Sequence, residues 1–275
     1  MLTTLVDVRP LGVHVVLDAY PTLLYGGALL GIFVALAVAG VRGLPVARAA
    51  AVLAAAAIAV PVGARAMHVF TDITLFADDP ASALSLSLTG FGIYGGLTAA
   101  VVAAAVGALI AHIDLWRLAD AAAPGVALGL TLAKLGCYCE GCCHGVVTRG
   151  PFGAVFPTAS PAHVAQIIDG SVSFMGAPLP VYPTQLYEAG GAFVLGILAL
   201  VLARWLPDGV AFLGLAAGFS AVRLAVLRYR WIEPSFSAPG WFYPALYGAI
   251  IALCIAFIAA RWLNELAVSS GANTT

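Results

Sequence analysis

Apolar and polar positions follow one another along this chain in long blocks, without the two-residue rhythm of strands. Ala19 to Val41 carries no charge and is closed by Arg42 and Arg48. A second block runs from about Val46 to Phe70, interrupted by Arg65 and His68, and a third from Leu88 to about His112, beyond an acidic Asp78-Asp79-Pro80 tip. The fourth, about Leu115 to Gly136, holds Asp120, Pro124 and Lys134. A polar stretch rich in Pro and Gly follows, about Cys137 to Pro183, and apolar blocks resume at Gln185–Leu202, Val210–Leu227 and Trp241–Trp262. Blocks of about 20 apolar residues match the hydrocarbon core of a bilayer when helical. A helix also satisfies its own backbone there, where no water can. The pattern therefore predicts an all-α integral membrane protein of about seven transmembrane helices. It forms a single polytopic domain over residues 1–275, with a small extracytoplasmic head segment at about 137–183. That head is too long for a simple connector, which marks it as functional or as a small subdomain.

Composition sharpens this picture. Of 275 residues, 62% are hydrophobic and only 9% are Asp, Glu, Lys or Arg, against about 25% in soluble domains. Twelve basic and thirteen acidic residues leave a net charge of −1, which excludes a polybasic nucleic-acid surface. Arg9 alone precedes the first block, too little for a signal-peptide n-region, so the first span is expected to stay in the mature protein. Arg42, Arg48, Arg117, Arg204 and Arg261 fall in alternate connections or the C-terminal end, and the Asp72–Asp79 loop has no Lys or Arg. The positive-inside rule then places the N-terminus and head outside and the C-terminus in the cytoplasm, with Arg149, Arg228 and Arg230 weakening the contrast.

With so few charges, each one inside a span becomes a question. Arg65, Lys134 and Arg223 each cost about 2.5–3.5 kcal/mol at a helix centre. Snorkelling to an interface accounts for Arg65 as readily as a binding role does. Lys134 leads directly into a cysteine cluster, and Arg223 opens an Arg223, Arg228, Arg230 series in which the first and last share a helical face. The acids available are Asp120, Glu188 and Glu140, too few for every cation. An anionic phospholipid headgroup would complete the balance.

Three local patterns carry candidate chemistry. Gly92-Ile93-Tyr94-Gly95-Gly96-Leu97 opens the third block, where paired glycines admit a ligand or a neighbouring helix equally well. Lys134-Leu135-Gly136-Cys137-Tyr138-Cys139-Glu140-Gly141-Cys142-Cys143-His144-Gly145 ends the fourth. Tyr182-Pro183-Thr184-Gln185-Leu186-Tyr187-Glu188 opens the fifth, where Thr184 reads as an N-cap and Glu188 lies one turn inside. His163 reads as a solvated head residue and Cys254 as a packing residue. Trp205, Trp231, Trp241 and Trp262 read as an interfacial belt.

At these residues the chain resembles the prolipoprotein diacylglyceryl transferase family. The family's aromatic-Tyr-Gly is matched by Leu24-Tyr25-Gly26 and its Gly-x-Arg by Gly63-Ala64-Arg65. Its His-Gly-Gly-Leu signature is matched by Tyr94-Gly95-Gly96-Leu97, and its central Arg-Leu-Gly-Asn motif by Lys134 to Gly145. Pro151 to Pro157 matches Pro-Phe-x-x-x-Phe-Pro, and Tyr182 to Glu188 matches His-Pro-Ser-Gln-Leu-Tyr-Glu. The Arg-x-x-x-Glu-x-x-Arg segment becomes Arg223, Leu227 and Arg230. The resemblance implies a multi-pass enzyme of the bacterial cell (inner) membrane, without a cofactor. It would move the diacylglyceryl group of phosphatidylglycerol to a prolipoprotein cysteine thiol, or to another nucleophilic acceptor, and release glycerol phosphate. It assigns Lys134, Arg223, Arg230, Tyr94 and Cys142 to catalysis. Tyr25, Arg65, Gly95, Gly96, Cys137, Gly145 and Glu188 go to substrate binding.

Several residues depart from the family pattern. Tyr94 replaces a histidine, Lys134 an arginine, Cys137 an asparagine, and Cys142 and Leu227 glutamates. Lysine keeps the charge but not the bidentate fork, and a tyrosine of pKa about 10 is a poor base at neutral pH. Four cysteines stand within seven residues instead. Cys137, Cys139, Cys142 and Cys143, with His144, suit a thiophilic metal, disulfides outside the membrane, or a nucleophilic thiol. The competing classes are accordingly a membrane thiol-redox or metal-binding protein centred on Cys137–Cys143, and an inactive lipid-binding scaffold.

Overall fold

The computed structural model describes residues 4–8, 15–71, 81–82, 93–232 and 239–272. Helices follow one another as α1 (Ala19–Val41), α2 (Val46–Thr71), α3 (Ile93–Ile110), α4 (Leu115–Glu140), α5 (Pro161–Ile168), α6 (Thr184–Leu202), α7 (Val210–Leu227) and α8 (Phe242–Ala272). Six of them are long and apolar enough to cross a membrane, and the apolar stretch Gly95–Ile110 of α3 is shorter. The expected apolar helices are all present, in the expected order, and the protein is an all-α multi-pass membrane protein. Large side chains such as Leu29, Phe33 and Ile58 are about 70% exposed, as side chains facing a bilayer are. Trp205 and Trp241 are likewise exposed near helix ends, and Trp262 is exposed near the end of the apolar stretch Phe242–Leu266 of α8, as in an interfacial belt.

Two features differ from expectation. An antiparallel hairpin of β1 (Thr4–Val8) and β2 (Val15–Asp18) precedes α1; runs this short give no usable periodicity. Helix α4 continues to Glu140, so Cys137 and Cys139 are helical and the head starts at Gly141. Arg9, His14 and the Asp72–Asp79 loop lie outside the described residues.

The chain divides into two compact units, Leu36–Ala121 and the remainder, Met1–Ala35 with Ala122–Thr275. In the first, α2 and α3 pack through glycine. A methyl group on Gly63 would meet the Gly95 carbonyl, one on Gly95 the Gly63 carbonyl, and one on Gly96 would sit 2.9 Å from the Val60 carbonyl oxygen. Gly95 and Gly96 thus serve close helix packing. Buried Asp120 pairs with Arg42 at 3.6 Å, and Arg117 Nη2 donates to the Arg42 carbonyl at 2.7 Å. Ala39, Ala49, Val52, Ala108 and Leu118 form the core of this unit.

The larger unit is built on the same economy of small residues. Ala123, Ala127, Ala199, Ala203, Ala211 and Leu215 bring α4, α6 and α7 together. A Cβ on Gly31 of α1 would lie 2.5 Å from the Gly125 carbonyl oxygen of α4. Phe156, Ala162 and Val181 form the head's own core, with Tyr138 edge-on to Phe156 at 5.6 Å. Ser160 Oγ accepts the His163 N–H at 3.3 Å and caps α5. His163 is buried rather than solvated, because Nε2 bonds the Gly176 carbonyl oxygen at 2.9 Å and Nδ1 accepts the Ala159 N–H.

The glycine contacts give a signed prediction. Alanine in a helix interior is worth about 0.5–1 kcal/mol over glycine, whereas forcing a methyl into a closed contact costs about 1–3 kcal/mol. Gly26 has nothing within 4 Å of its added Cβ. Gly26→Ala should therefore hold or raise the melting temperature in detergent, and Gly31→Ala should lower it. Equal behaviour of the two would contradict the close α1–α4 approach.

Candidate active site

Four segments of the larger unit converge on one carboxylate. Helix α6 starts at Thr184, which puts Glu188 one turn in, with its side chain 1% exposed. Lys134 of α4 reaches Glu188 Oε2 at 2.5 Å, Arg223 Nη1 of α7 reaches it at 3.1 Å, and Arg230 Nη1 reaches Oε1 at 3.0 Å. Arg223 uses its other edge on Tyr247 of α8, whose hydroxyl oxygen accepts from Nε at 3.1 Å and Nη2 at 2.9 Å. Arg223 is thus fixed on two sides in one orientation. Arg230, at 20% exposure, is the most open of the three cations.

Arg230 arrives by a different route from the shared helical face that its spacing suggests. Helix α7 ends at Leu227. Arg230 lies beyond it, in an antiparallel bridge with Gly145. The segment around Gly145 is threaded between two others. Gly145 N donates to the Tyr182 carbonyl and Val146 N to the Tyr229 carbonyl, both at 2.8 Å, and Trp231 N donates to the His144 carbonyl at 3.2 Å. A Cβ at Gly145 would meet the Tyr229 oxygen and would sit 2.6 Å from Tyr182 Cβ. Only glycine lets the three segments lie this close, and their closeness places Arg230. Arg228 turns away, its guanidinium 4.9 Å from the Tyr229 ring.

The cysteine loop is clamped against the same helix start. Gly141 at φ 82° ends α4, and its N–H and that of Cys142 both return to the Cys137 carbonyl. Cys143 has φ 54°, left-handed backbone that a non-glycine residue adopts only under constraint. The constraint comes from α6, because Gln185 Nε2 donates to the Cys142 carbonyl at 2.6 Å and Thr184 Oγ1 donates to the Cys143 carbonyl at 2.8 Å. Thr184 therefore holds this loop, and no side chain caps α6. Gln185 Oε1 is buried without a hydrogen-bond partner.

Cys137, Cys142 and Cys143 gather their sulfurs within 4.8 Å of one another, and all are free thiols. Hydrogen bonds from the Cys137 and Cys142 thiols, with the Lys134 and Arg230 charges, hold the Cys143 thiol well below its ordinary pKa. Cys142, bonded to Cys137 and Cys143 and desolvated, is pushed up. Burial lowers the pKa of His144, whose ring stacks on Trp231 at 5.4 Å. That contact, with the Trp231 Nε1 bond to Asp169 at 3.2 Å, anchors Trp231 in the head rather than in the belt.

The structure thus gathers Lys134, Arg223, Arg230, Glu188, Gly145, Cys137 and Cys142. Tyr25 is 51% exposed and lines an open recess with Leu17, Asp18, Pro21, Thr22 and Gly26. Arg65 belongs to the smaller unit, where Nη2 donates to the Ser82 carbonyl at 2.6 Å. The Tyr94 side chain lies outside the described residues. Sequence reasoning missed Tyr247, since a tyrosine in an apolar span looks like a packing residue. It also missed the clamp by Thr184 and Gln185, which requires knowing that the loop folds back.

These features define a polytopic membrane protein with a buried cationic centre organised by one carboxylate, beside a thiol cluster. The family model for prolipoprotein diacylglyceryl transferase matches residues 10–263. A phosphatidylglycerol–prolipoprotein diacylglyceryl transferase of Dehalococcoides mccartyi is 31% identical over 179 residues, 64% of each chain. One from Clostridium perfringens is 29% identical over 139 residues, 50% of this chain and 49% of its own. One from Geobacter sulfurreducens is 29% identical over 209 residues, 74% of each chain. The chain thus spans about half to two thirds of the length of the first two relatives. The chain belongs to the prolipoprotein diacylglyceryl transferase family.

Removing the shared carboxylate tests the organisation of this centre. Glu188→Gln keeps the volume but leaves three cations facing one another, and breaking a buried ion pair from one side costs about 3–5 kcal/mol. Its melting temperature in detergent should fall by about 6–20 °C, at roughly 2–4 °C per kcal/mol for a chain of this size. Tyr247→Phe, which removes a neutral acceptor, should fall by much less. A Glu188→Gln protein as stable as the parent would mean that the carboxylate does not organise the site.

Proposed function

We propose that this protein transfers the diacylglyceryl group of phosphatidylglycerol to the cysteine thiol of a prolipoprotein, at the outer face of a bacterial cell (inner) membrane. Its N-terminus and head lie outside and its C-terminus in the cytoplasm. The observation that carries this reading is the charge of the centre. Lys134, Arg223 and Arg230 against Glu188 sum to +2, in a pocket where the carboxylate is buried. A phosphodiester carries one negative charge and gains a second as it leaves as glycerol phosphate. Cations already fixed in place stabilise that growing charge without reorganising in the reaction. Glu188 and Tyr247 do the fixing, and Arg230 offers its open edge to the leaving phosphate. The attacking thiol, of pKa about 8.5, must first lose its proton, and the thiol cluster lies beside the same cations. Tyr25, on its exposed recess, is assigned to the lipid headgroup. The names of the relatives support this donor and this acceptor.

Complementation of a bacterial strain depleted of its own transferase, with lipoprotein modification read by mass spectrometry, tests the reading. The wild-type chain should restore the diacylglyceryl mass increment on the lipoprotein cysteine. Arg223→Lys and Arg230→Ala should each slow transfer from phosphatidylglycerol vesicles by about 10²–10³-fold, as removal of one fixed donor does elsewhere. Arg228→Ala, whose side chain turns away, should keep the parent rate. A well-expressed wild-type chain that leaves the lipoprotein unmodified would refute the proposal.

A further inference from the structure

The thiol cluster brings together three groups that could hold a metal ion. Cys137 comes from the last turn of α4, and Cys142 and Cys143 come from the loop that Gly141 and Cys143 fold back in left-handed conformation. Their sulfurs lie within 4.8 Å of one another. A zinc ion binds thiolate at about 2.3 Å, so three sulfurs on one ion stand about 3.8–4.0 Å apart. Closure by about an ångström or less reaches that arrangement. One disulfide would pair only two of the three sulfurs and strand the third. Among the described residues the group has three members. Cys139 and His144 are outside it. Zinc sites with four protein ligands are structural, whereas those with three keep a position for a reactant.

We propose that Cys137, Cys142 and Cys143 bind a zinc ion whose fourth position takes the thiol of the acceptor. This rests on the transferase reading and specifies how its acceptor is activated. A thiol that coordinates zinc loses its proton, here to water. The zinc-held sulfur then gives an electron pair to the glyceryl carbon of the phospholipid. A C–S bond forms as the C–O bond to phosphate breaks, and that bond's electrons leave on the phosphate oxygen beside Arg230. No atom changes oxidation state at the metal, and the neutral thioether, a weak ligand, departs. The charges are compatible. Zinc with three thiolates carries −1, so beside the +2 of Lys134, Arg223, Arg230 and Glu188 the centre stands at +1 and attracts a phosphodiester; the acceptor thiolate then brings it to neutral, and Arg230 still faces the leaving phosphate. Buried Gln185 Oε1, without a partner next to the loop, is a spare acceptor for a backbone N–H of the incoming peptide.

The test uses the full chain purified in detergent. Elemental analysis should find stoichiometric zinc, removable by a chelator and restored by zinc alone. Zinc affinity should fall by about 10–100-fold or more in Cys142→Ser and in Cys143→Ser, and Cys139→Ser and Cys254→Ser should retain it. Cobalt in place of zinc should give thiolate-to-cobalt charge-transfer bands that shift when a peptide bearing the acceptor cysteine is added and stay unchanged with its serine counterpart. The chelation and cobalt measurements need no variant, so they decide the matter even where a cysteine variant misfolds. A chain that stays metal-free after zinc addition, or cobalt bands indifferent to the cysteine peptide, would overturn the proposal. Transfer activity in fully chelated protein would also overturn it while leaving the transferase reading intact. Thiol-responsive cobalt bands in a chain that never transfers from phosphatidylglycerol would uphold the metal site and defeat the transferase reading instead.

Discussion

The carboxylate of Glu188 is the interaction on which the rest of the centre depends. Lys134, Arg223 and Arg230 come from α4, from α7 and from the segment beyond α7, and all three meet it within 3.1 Å. A single buried anion among three cations is a deliberate imbalance. With no anion, three positive charges in a low-dielectric pocket would drive the helices apart. Three carboxylates would neutralise the pocket and leave nothing for a ligand. One carboxylate fixes the geometry and preserves an excess of +2, so structural order and a net positive charge come from the same residue.

The head makes that arrangement possible by backbone geometry. Arg230 lies outside α7 and reaches Glu188 because Gly145 allows three chain segments to lie against one another. The loop preceding Gly145 carries Cys142 and Cys143, and its carbonyls are held by Thr184 and Gln185, one turn before Glu188. The first turn of α6 therefore positions both the thiols and the cations. This explains why the Pro183-Thr184-Gln185-Leu186-Tyr187-Glu188 block is the segment in which the resemblance to the family is clearest.

Much of this is legible in the sequence, for specific reasons. The apolar helices can be read because membrane spans need long uncharged runs, and the scarcity of charge makes Lys134, Arg223, Arg230 and Glu188 conspicuous. The pairing among them is not legible, because it depends on the chain path after Leu227, where a helical face is a reasonable expectation. Thr184 reads as a cap for the same reason: local spacing cannot reveal that a loop 41 residues away in sequence offers its carbonyl. Gly95 and Gly96 have two readings, ligand approach and helix packing, and the contacts with Gly63 and Val60 supply the second. His163 reads wrongly as solvated because nothing in the sequence shows Gly176 returning to meet it.

The departures from the family pattern take on a different meaning beside this geometry. Cys137 and Cys142 stand where the family has an asparagine and a glutamate, and they fall together with Cys143 into one group of sulfurs. Two of the replacements, Cys137 and Cys142, thus stand with Cys143 beside a loop kept in left-handed backbone at Cys143 and tied down by two side chains of α6. Holding a non-glycine residue in that conformation costs of order 1–3 kcal/mol, which the hydrogen bonds from Thr184 and Gln185 offset. The cationic half of the centre, by contrast, retains its charges, with lysine at the position of an arginine. On the transferase reading proposed above, the change therefore falls on the side of the centre that would receive the thiol, while the three cations that would receive the phosphate are kept.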